Sequence, residues 1–270
     1  MQAGRPSRIY ERHEIKAKPR LRSMARWITR KLCIAALGLV ALASPAWAAD
    51  DRPVVLELFT AQGCSACPET HTALERISRD PKVLILTYGV DYWDYLGWRD
   101  TFARPEFTER QRDYRQTFGL RSVATPQVVI DGHSQITAQQ SALLDNALSG
   151  LPASPLPPPD IEFRTTGDRV AVGSGRAPSG GADVVAVRYT PGLKTVEVRT
   201  GDNQGQSIRH INVVKEIRYL GDWSGRPALY NLPPDLSAHA LNEDALIVMV
   251  QGKQDRRILS TARLQELRHD

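Results

Sequence analysis

A chain of 270 residues, 41% hydrophobic and 24% charged, has the balance of a globular protein and excludes a disordered, collagen-like or multi-span membrane chain. The formal charge of +5 is unevenly spread: residues 1–48 hold ten of the 35 Lys+Arg and two of the 30 Asp+Glu. That leaves 25 basic against 28 acidic residues over 49–270, so a chain without its first segment is mildly acidic and no nucleic-acid partner is expected.

The first segment has the pattern of a secretory signal. Arg26, Arg30 and Lys31 precede an apolar run over 32–43, which is followed by Ala46-Trp47-Ala48. A basic start, a short apolar stretch and small residues at −3 and −1 predict cleavage before Ala49 and a periplasmic or secreted product. Twelve apolar residues fall short of the ~20 that span a bilayer. Met24 opens the pattern, so residues 1–23 read as an overlong start assignment or an extension. Cys33 leaves with the leader and has no lipobox before it. The exported chain then keeps two cysteines, Cys64 and Cys67, too few for a disulfide framework or a four-cysteine zinc site. No membrane partner is expected after cleavage.

Hydrophobic runs predict a buried strand over 54–59 and a helix over 68–79 with Leu74 and Ile77 inward. A second buried strand follows over 83–90, then a charged helix over 104–118 ending at Gly119. Strands over 127–131 and 134–137 flank Gly132-His133 as a hairpin, and a helix over 138–148 closes the segment. Five prolines within 151–160 cannot continue a helix or central strand and predict a linker. Beyond it, strands are expected over 161–165, 169–173, 184–190, 195–200, 208–220 and 245–251, separated by turn signals. The division is therefore a leader over 1–48, an α/β domain of order β-α-β-α-β-β-α over 49–150, the linker, and an all-β, sandwich-like domain over 161–270.

Gly63-Cys64-Ser65-Ala66-Cys67-Pro68 lies between a strand and a helix. The first sulfur is then at a helix N-terminus, whose free N–H groups and dipole favour a thiolate. The second is one turn inward, within reach of a disulfide. One accessible nucleophilic thiol and one resolving thiol are what thiol–disulfide exchange requires. Thr125-Pro126 precedes a strand expected to run antiparallel to the first two, which brings it to the sheet edge beside Cys64.

The strings ELFTAQGCSACP over 57–68, VDYWDYLGW over 90–98 and SVATPQ over 122–127 resemble a family of secreted bacterial proteins of unknown function in the thioredoxin-like superfamily. GDNQG over 201–205 and NVV over 212–214 are similar to it as well. The resemblance implies a thioredoxin-like fold for the first domain, a cis Pro126 that presents backbone to a substrate strand, and redox chemistry at Cys64 and Cys67. Gly63 and Ser65-Ala66 depart from the usual Trp before the first cysteine and Gly-Pro between the two, which leaves oxidant and reductant both open.

Glu57, seven residues before Cys64, is a candidate proton acceptor for Cys67, or else a carboxylate paired with a basic neighbour. The loop carrying Tyr92, Trp93 and Trp98 emerges at the same edge. With Thr125, these aromatics could wall a peptide site or fill the gap between the domains; Asp91 and Asp94 are expected to satisfy local backbone. His71, one turn after Cys67, reads as a solvated helix residue. Alternatively, Cys64, Cys67, His71 and His133 could bind copper. The remaining alternative is a binding protein with a structural disulfide. The leading expectation is a thiol–disulfide oxidoreductase without cofactor. Cys64 would be its nucleophile, Cys67 its resolving thiol and Pro126 its substrate guide, and its partners would be protein or peptide thiols and a redox protein.

Overall fold

In the computed structural model, residues 52–137, 141–150 and 157–264 are described. The expected leader, its cleavage before Ala49 and residues 151–156 of the expected linker lie outside them. Strand β1 (Val54–Thr60) leads into helix α1 (Cys67–Ile77), strand β2 (Val83–Gly89), a short turn of 3-10 helix (Asp94–Leu96) and helix α2 (Pro105–Thr117). Strands β3 (Gln127–Ile130) and β4 (Ser134–Ile136) and helix α3 (Ser141–Ser149) follow. The order β-α-β-α-β-β-α is thus the expected one. Pro68 and Pro105 open α1 and α2, where a missing N–H loses no hydrogen bond and the fixed φ is already helical.

β1 is buried on both faces because it lies inside the sheet. It pairs in parallel with β2 and antiparallel with β3. Leu56 and Leu58 pack against Leu74 and Ile77 of α1 and Leu144 of α3. Val55 and Phe59 pack on the other face with Phe107 and Tyr114 of α2.

The second half departs from the expected separate domain. Its strands are β5 (Ile161–Phe163), β6 (Arg169–Val172), β7 (Ala182–Glu197), β8 (Ser207–Trp223), β9 (Ala228–Asn231), β10 (Ala245–Gly252) and β11 (Ile258–Leu264). The strands expected over 184–190 and 195–200 are one long strand, because the Pro191-Gly192 signal marks an irregular register rather than an end. β8 lies beside β2 in parallel, with Thr87 opposite Val213. One mixed sheet of eight strands therefore runs β11-β10-β7-β8-β2-β1-β3-β4, across the expected boundary, and the described residues form one compact unit. β5, β6 and β9 make a small antiparallel sheet. Val170, Val172 and Tyr230 from it pack with Val184, Trp223 and Val248 of the large sheet, so the sandwich-like element survives as a flank.

A buried ion pair ties β1 to α2. Glu57 is 0% exposed and accepts from Arg110 Nε at 2.7 Å and Nη2 at 3.1 Å, and from the Tyr114 hydroxyl. Gln251 of β10 donates to the same hydroxyl at 2.8 Å. Removing one member of a buried pair strands the other charge. Arg110→Ala should lower unfolding free energy by about 3–5 kcal/mol in denaturant melts. Arg76→Ala, which breaks the half-exposed pair with Asp145, should lower it by less than about 1 kcal/mol. Equal losses would contradict the assignment of Glu57–Arg110 as a core element.

Candidate functional site

After β1, residues 61–66 turn back into α1. Cys64 N–H donates to Ala61 O and Cys67 N–H to Cys64 O, both at 3.1 Å. These turns bring the two Cα atoms to 5.4 Å, and the sulfurs form a disulfide. Ser65 between them is exposed, but Cys64 is 1% and Cys67 0% exposed. The expected accessible nucleophile is therefore closed off in this state, since the loop lies against the core that also holds Phe59 and Tyr88.

The loop is gripped through Gln62. Its N–H donates to Asp100 Oδ2 at 2.6 Å, its Oε1 accepts from Trp98 Nε1 at 2.8 Å, and its Nε2 donates to Thr101 Oγ1 at 2.9 Å. Asn203, from the connection between β7 and β8, donates through Nδ2 to Gln62 O and Cys64 O, each at 2.8 Å. Gln62, Asp100 and Asn203 were not singled out from sequence. Asn203 stands within the GDNQG string, yet nothing local tells which of its residues turns inward.

Burial raises the Asp100 carboxyl to about 6, although the Gln62 and Phe102 amides pull the other way. For Glu57, burial is outweighed by the Arg110 guanidinium, which holds the carboxyl below its usual range. Glu57 thus takes the second of its two readings. Both its oxygens are engaged and it is a poor proton acceptor for Cys67.

The aromatic residues divide. Trp98 fixes Gln62, and Tyr92 donates its hydroxyl to Gln111 Oε1 at 3.0 Å, so both serve the frame of the loop rather than an open wall. Trp93 lies beside the cysteine loop, its Cβ 4.0 Å from where a Cβ on Gly63 would stand. Tyr95, not singled out from sequence, is 81% exposed. Asp94 accepts from Asp100 N–H, the local role expected of it, whereas Asp91 accepts from the Thr108 hydroxyl. The Thr125–Pro126 bond is cis, and the next residue, Gln127, pairs with Phe59 near the end of β1. Thr125 and Pro126 therefore sit at the sheet edge from which the cysteine loop leaves.

His71 is not solvated. Its Nε2 is hydrogen-bonded to Thr60 Oγ1 at 3.0 Å, and its ring meets that of His210 edge-on at 4.4 Å between centroids. Burial drives both pKa values down, His71 well below the usual range and His210 to about 4. His133 is instead hydrogen-bonded to Arg257 on the far hairpin. Among the described residues no three His, Cys, Asp or Glu side chains converge as metal ligands, so the set Cys64, Cys67, His71 and His133 is not assembled.

Residues 55–251 match the model of a family described as protein of unknown function (DUF1223). The crystal structure of a protein from Agrobacterium tumefaciens is similar at 27% identity and a TM-score of 0.65, over 83% of this chain and 98% of that one. HBP35 of Porphyromonas gingivalis is similar in fold, at 14% identity and a TM-score of 0.50 over 79% of this chain and 75% of its own. No curated protein matches the chain.

The histidine pair has a measurable consequence. Below pH ~6.5 the unfolded chain protonates His71 and His210 while the native state holds them neutral, so stability falls with pH. The limiting slope is about 1.4 kcal/mol per pH unit for each. Asp100, more basic when folded, offsets one of the two below pH about 6. Urea melts should show a net loss of about 2 kcal/mol between pH 7 and 5, and His210→Phe, which leaves His71 opposed by Asp100, should remove most of it. An unchanged slope in that variant would rule the pair out as the source.

Proposed function

The chain belongs to the DUF1223 family, and we propose that it is an exported thiol–disulfide oxidoreductase of thioredoxin-like fold, acting through Cys64 and Cys67. The observation that carries the reading is the disulfide between them at the entry to α1, on the sheet edge that also receives Thr125 and Pro126. In the reduced protein the Cys64 thiolate attacks a substrate disulfide. One new S–S bond forms to Cys64 and one substrate thiolate leaves. Cys67, deprotonated, attacks Cys64 in turn, restoring the protein disulfide and releasing the second substrate thiol. Two electrons pass to the substrate; the same steps reversed oxidise a substrate dithiol at the expense of an oxidising redox partner. Pro126, with Thr125 and Trp93, guides the substrate backbone in this reading, and export with cleavage before Ala49 supplies the oxidising compartment.

The burial of both sulfurs favours a second reading, a binding protein in which the disulfide only closes a loop. Glutathione and dithiothreitol titrations of the folded protein separate the two. A redox pair should equilibrate in the range of known oxidoreductases, about −270 to −120 mV, whereas a structural disulfide should lie below about −300 mV. Cys67→Ser should accumulate mixed disulfides through Cys64 with reactive substrates, and Cys64→Ser should not. A potential below that limit together with no trapped partner would leave the structural reading standing.

A further inference from the structure

We propose that Asn203 is the positioning residue of the cysteine pair: it fixes the backbone of Cys64 and so sets how readily the reduced Cys64 ionises. This rests on the oxidoreductase reading and adds to it a residue 139 positions away in sequence.

The connection between β7 and β8 presents one side chain inward. Gly201, Asp202, Gln204, Gly205 and Gln206 are exposed, whereas Asn203 is 0% exposed. The turn is braced for this. Gly205 N–H donates to Val198 O at 2.8 Å, Gln206 N–H to Asn203 O at 3.0 Å, and Thr200 Oγ1 to Gly97 O on the aromatic loop at 2.8 Å. Gly201 and Gly205 have φ of 83° and 78°, a region where other residues are strained.

Both protons of the Asn203 amide are committed, one to Gln62 O and one to Cys64 O. Because both partners are carbonyls, the nitrogen must face them. Oδ1 is left buried without a partner, an arrangement that packing alone disfavours. The Cys64 carbonyl also receives the Cys67 N–H. Asn203 and the first turn of α1 therefore hold the same oxygen from two sides, keeping Cys64 aligned with the N–H groups that stabilise a thiolate.

The test compares the whole exported chain with Asn203→Ala, Asn203→Asp and Asn212→Ala. Asn212 bonds Ile85 O and the Gly192 N–H, each at 2.9 Å, holding the same hairpin without touching the cysteine loop. In the reduced proteins, the pH profile of iodoacetamide alkylation at Cys64 and the equilibrium constant with glutathione are measured beside thermal melts. Asn203→Ala should raise the Cys64 pKa by about one unit, lowering its alkylation rate near neutral pH about tenfold. Asn203→Asp, the same shape without donors, should do at least as much. Asn212→Ala should melt earlier with an unshifted profile. A folded Asn203→Ala protein with the wild-type profile and equilibrium constant overturns this inference alone. A wild-type disulfide that glutathione cannot reduce in the folded protein overturns the oxidoreductase reading and this inference with it.

Discussion

The parallel contact between β2 and β8 is the joint on which the rest of the molecule depends. Its ladder is minimal, with one paired register, Thr87 opposite Val213. Side chains take over where the ladder stops: Thr87 Oγ1 donates to Ile211 O at 2.6 Å and Asn212 Nδ2 to Ile85 O at 2.9 Å. The backbone of β2, a strand buried over Leu84–Gly89, would otherwise present unpaired polar groups at a sheet edge. With β8 fixed there, its partner β7 and the connection between them follow, and Asn203 comes to the cysteine loop. The same joint carries β10 to where Gln251 reaches Tyr114.

Charge is handled differently on the two sides of that sheet. On the α2 side Glu57 and Arg110 are buried together, and Arg110 also lies 5.3 Å from the Tyr114 ring centroid. A fully bonded pair of this kind rigidifies a core but gives little net stability over an apolar substitute, so its value is in fixing α2 against β1. On the α1 side, His71 and His210 are buried neutral, next to the turn that begins at Cys67. Neither centre offers a ready proton acceptor to Cys67: Glu57 is held as an anion by a strong partner, and the imidazoles are held neutral by the energetic penalty on their charged form.

What could be read from sequence follows the range of the interactions involved. The order of elements over 54–149 was legible because strand runs, Pro68, Pro105 and the turn at Gly132 are local signals. The cysteine pair and the Thr125-Pro126 strand entry were legible for the same reason, being motifs bound to element boundaries. The merging of the halves was not. β8 carries exposed and buried residues in an irregular pattern, and nothing within it announces β2 as a neighbour. β9 and β11 escaped notice because a four-residue strand and a mixed apolar–polar run give weak periodicity. His71 looked solvated because its partner, His210, is distant in sequence, and Asn203 was hidden likewise. Glu57 could be paired or catalytic until Arg110 was seen to reach it.

The site therefore combines a local motif with a non-local frame, and the frame bears most of its polar imperfections. Asn203 Oδ1, Trp93 Nε1, His71 Nδ1 and His210 Nε2 are all buried without partners. Trp93 stands beside Gly63, Asn203 on Cys64, and His71 one turn beyond Cys67, with His210 against it. Unpartnered groups are destabilising wherever water is excluded, and a core built only for stability would fill these positions with apolar side chains. The cysteine loop is instead held by directed bonds, from Asn203 to the carbonyls of Gln62 and Cys64 and from Gln62 to Asp100 and Thr101, which, unlike apolar contacts, specify one backbone position.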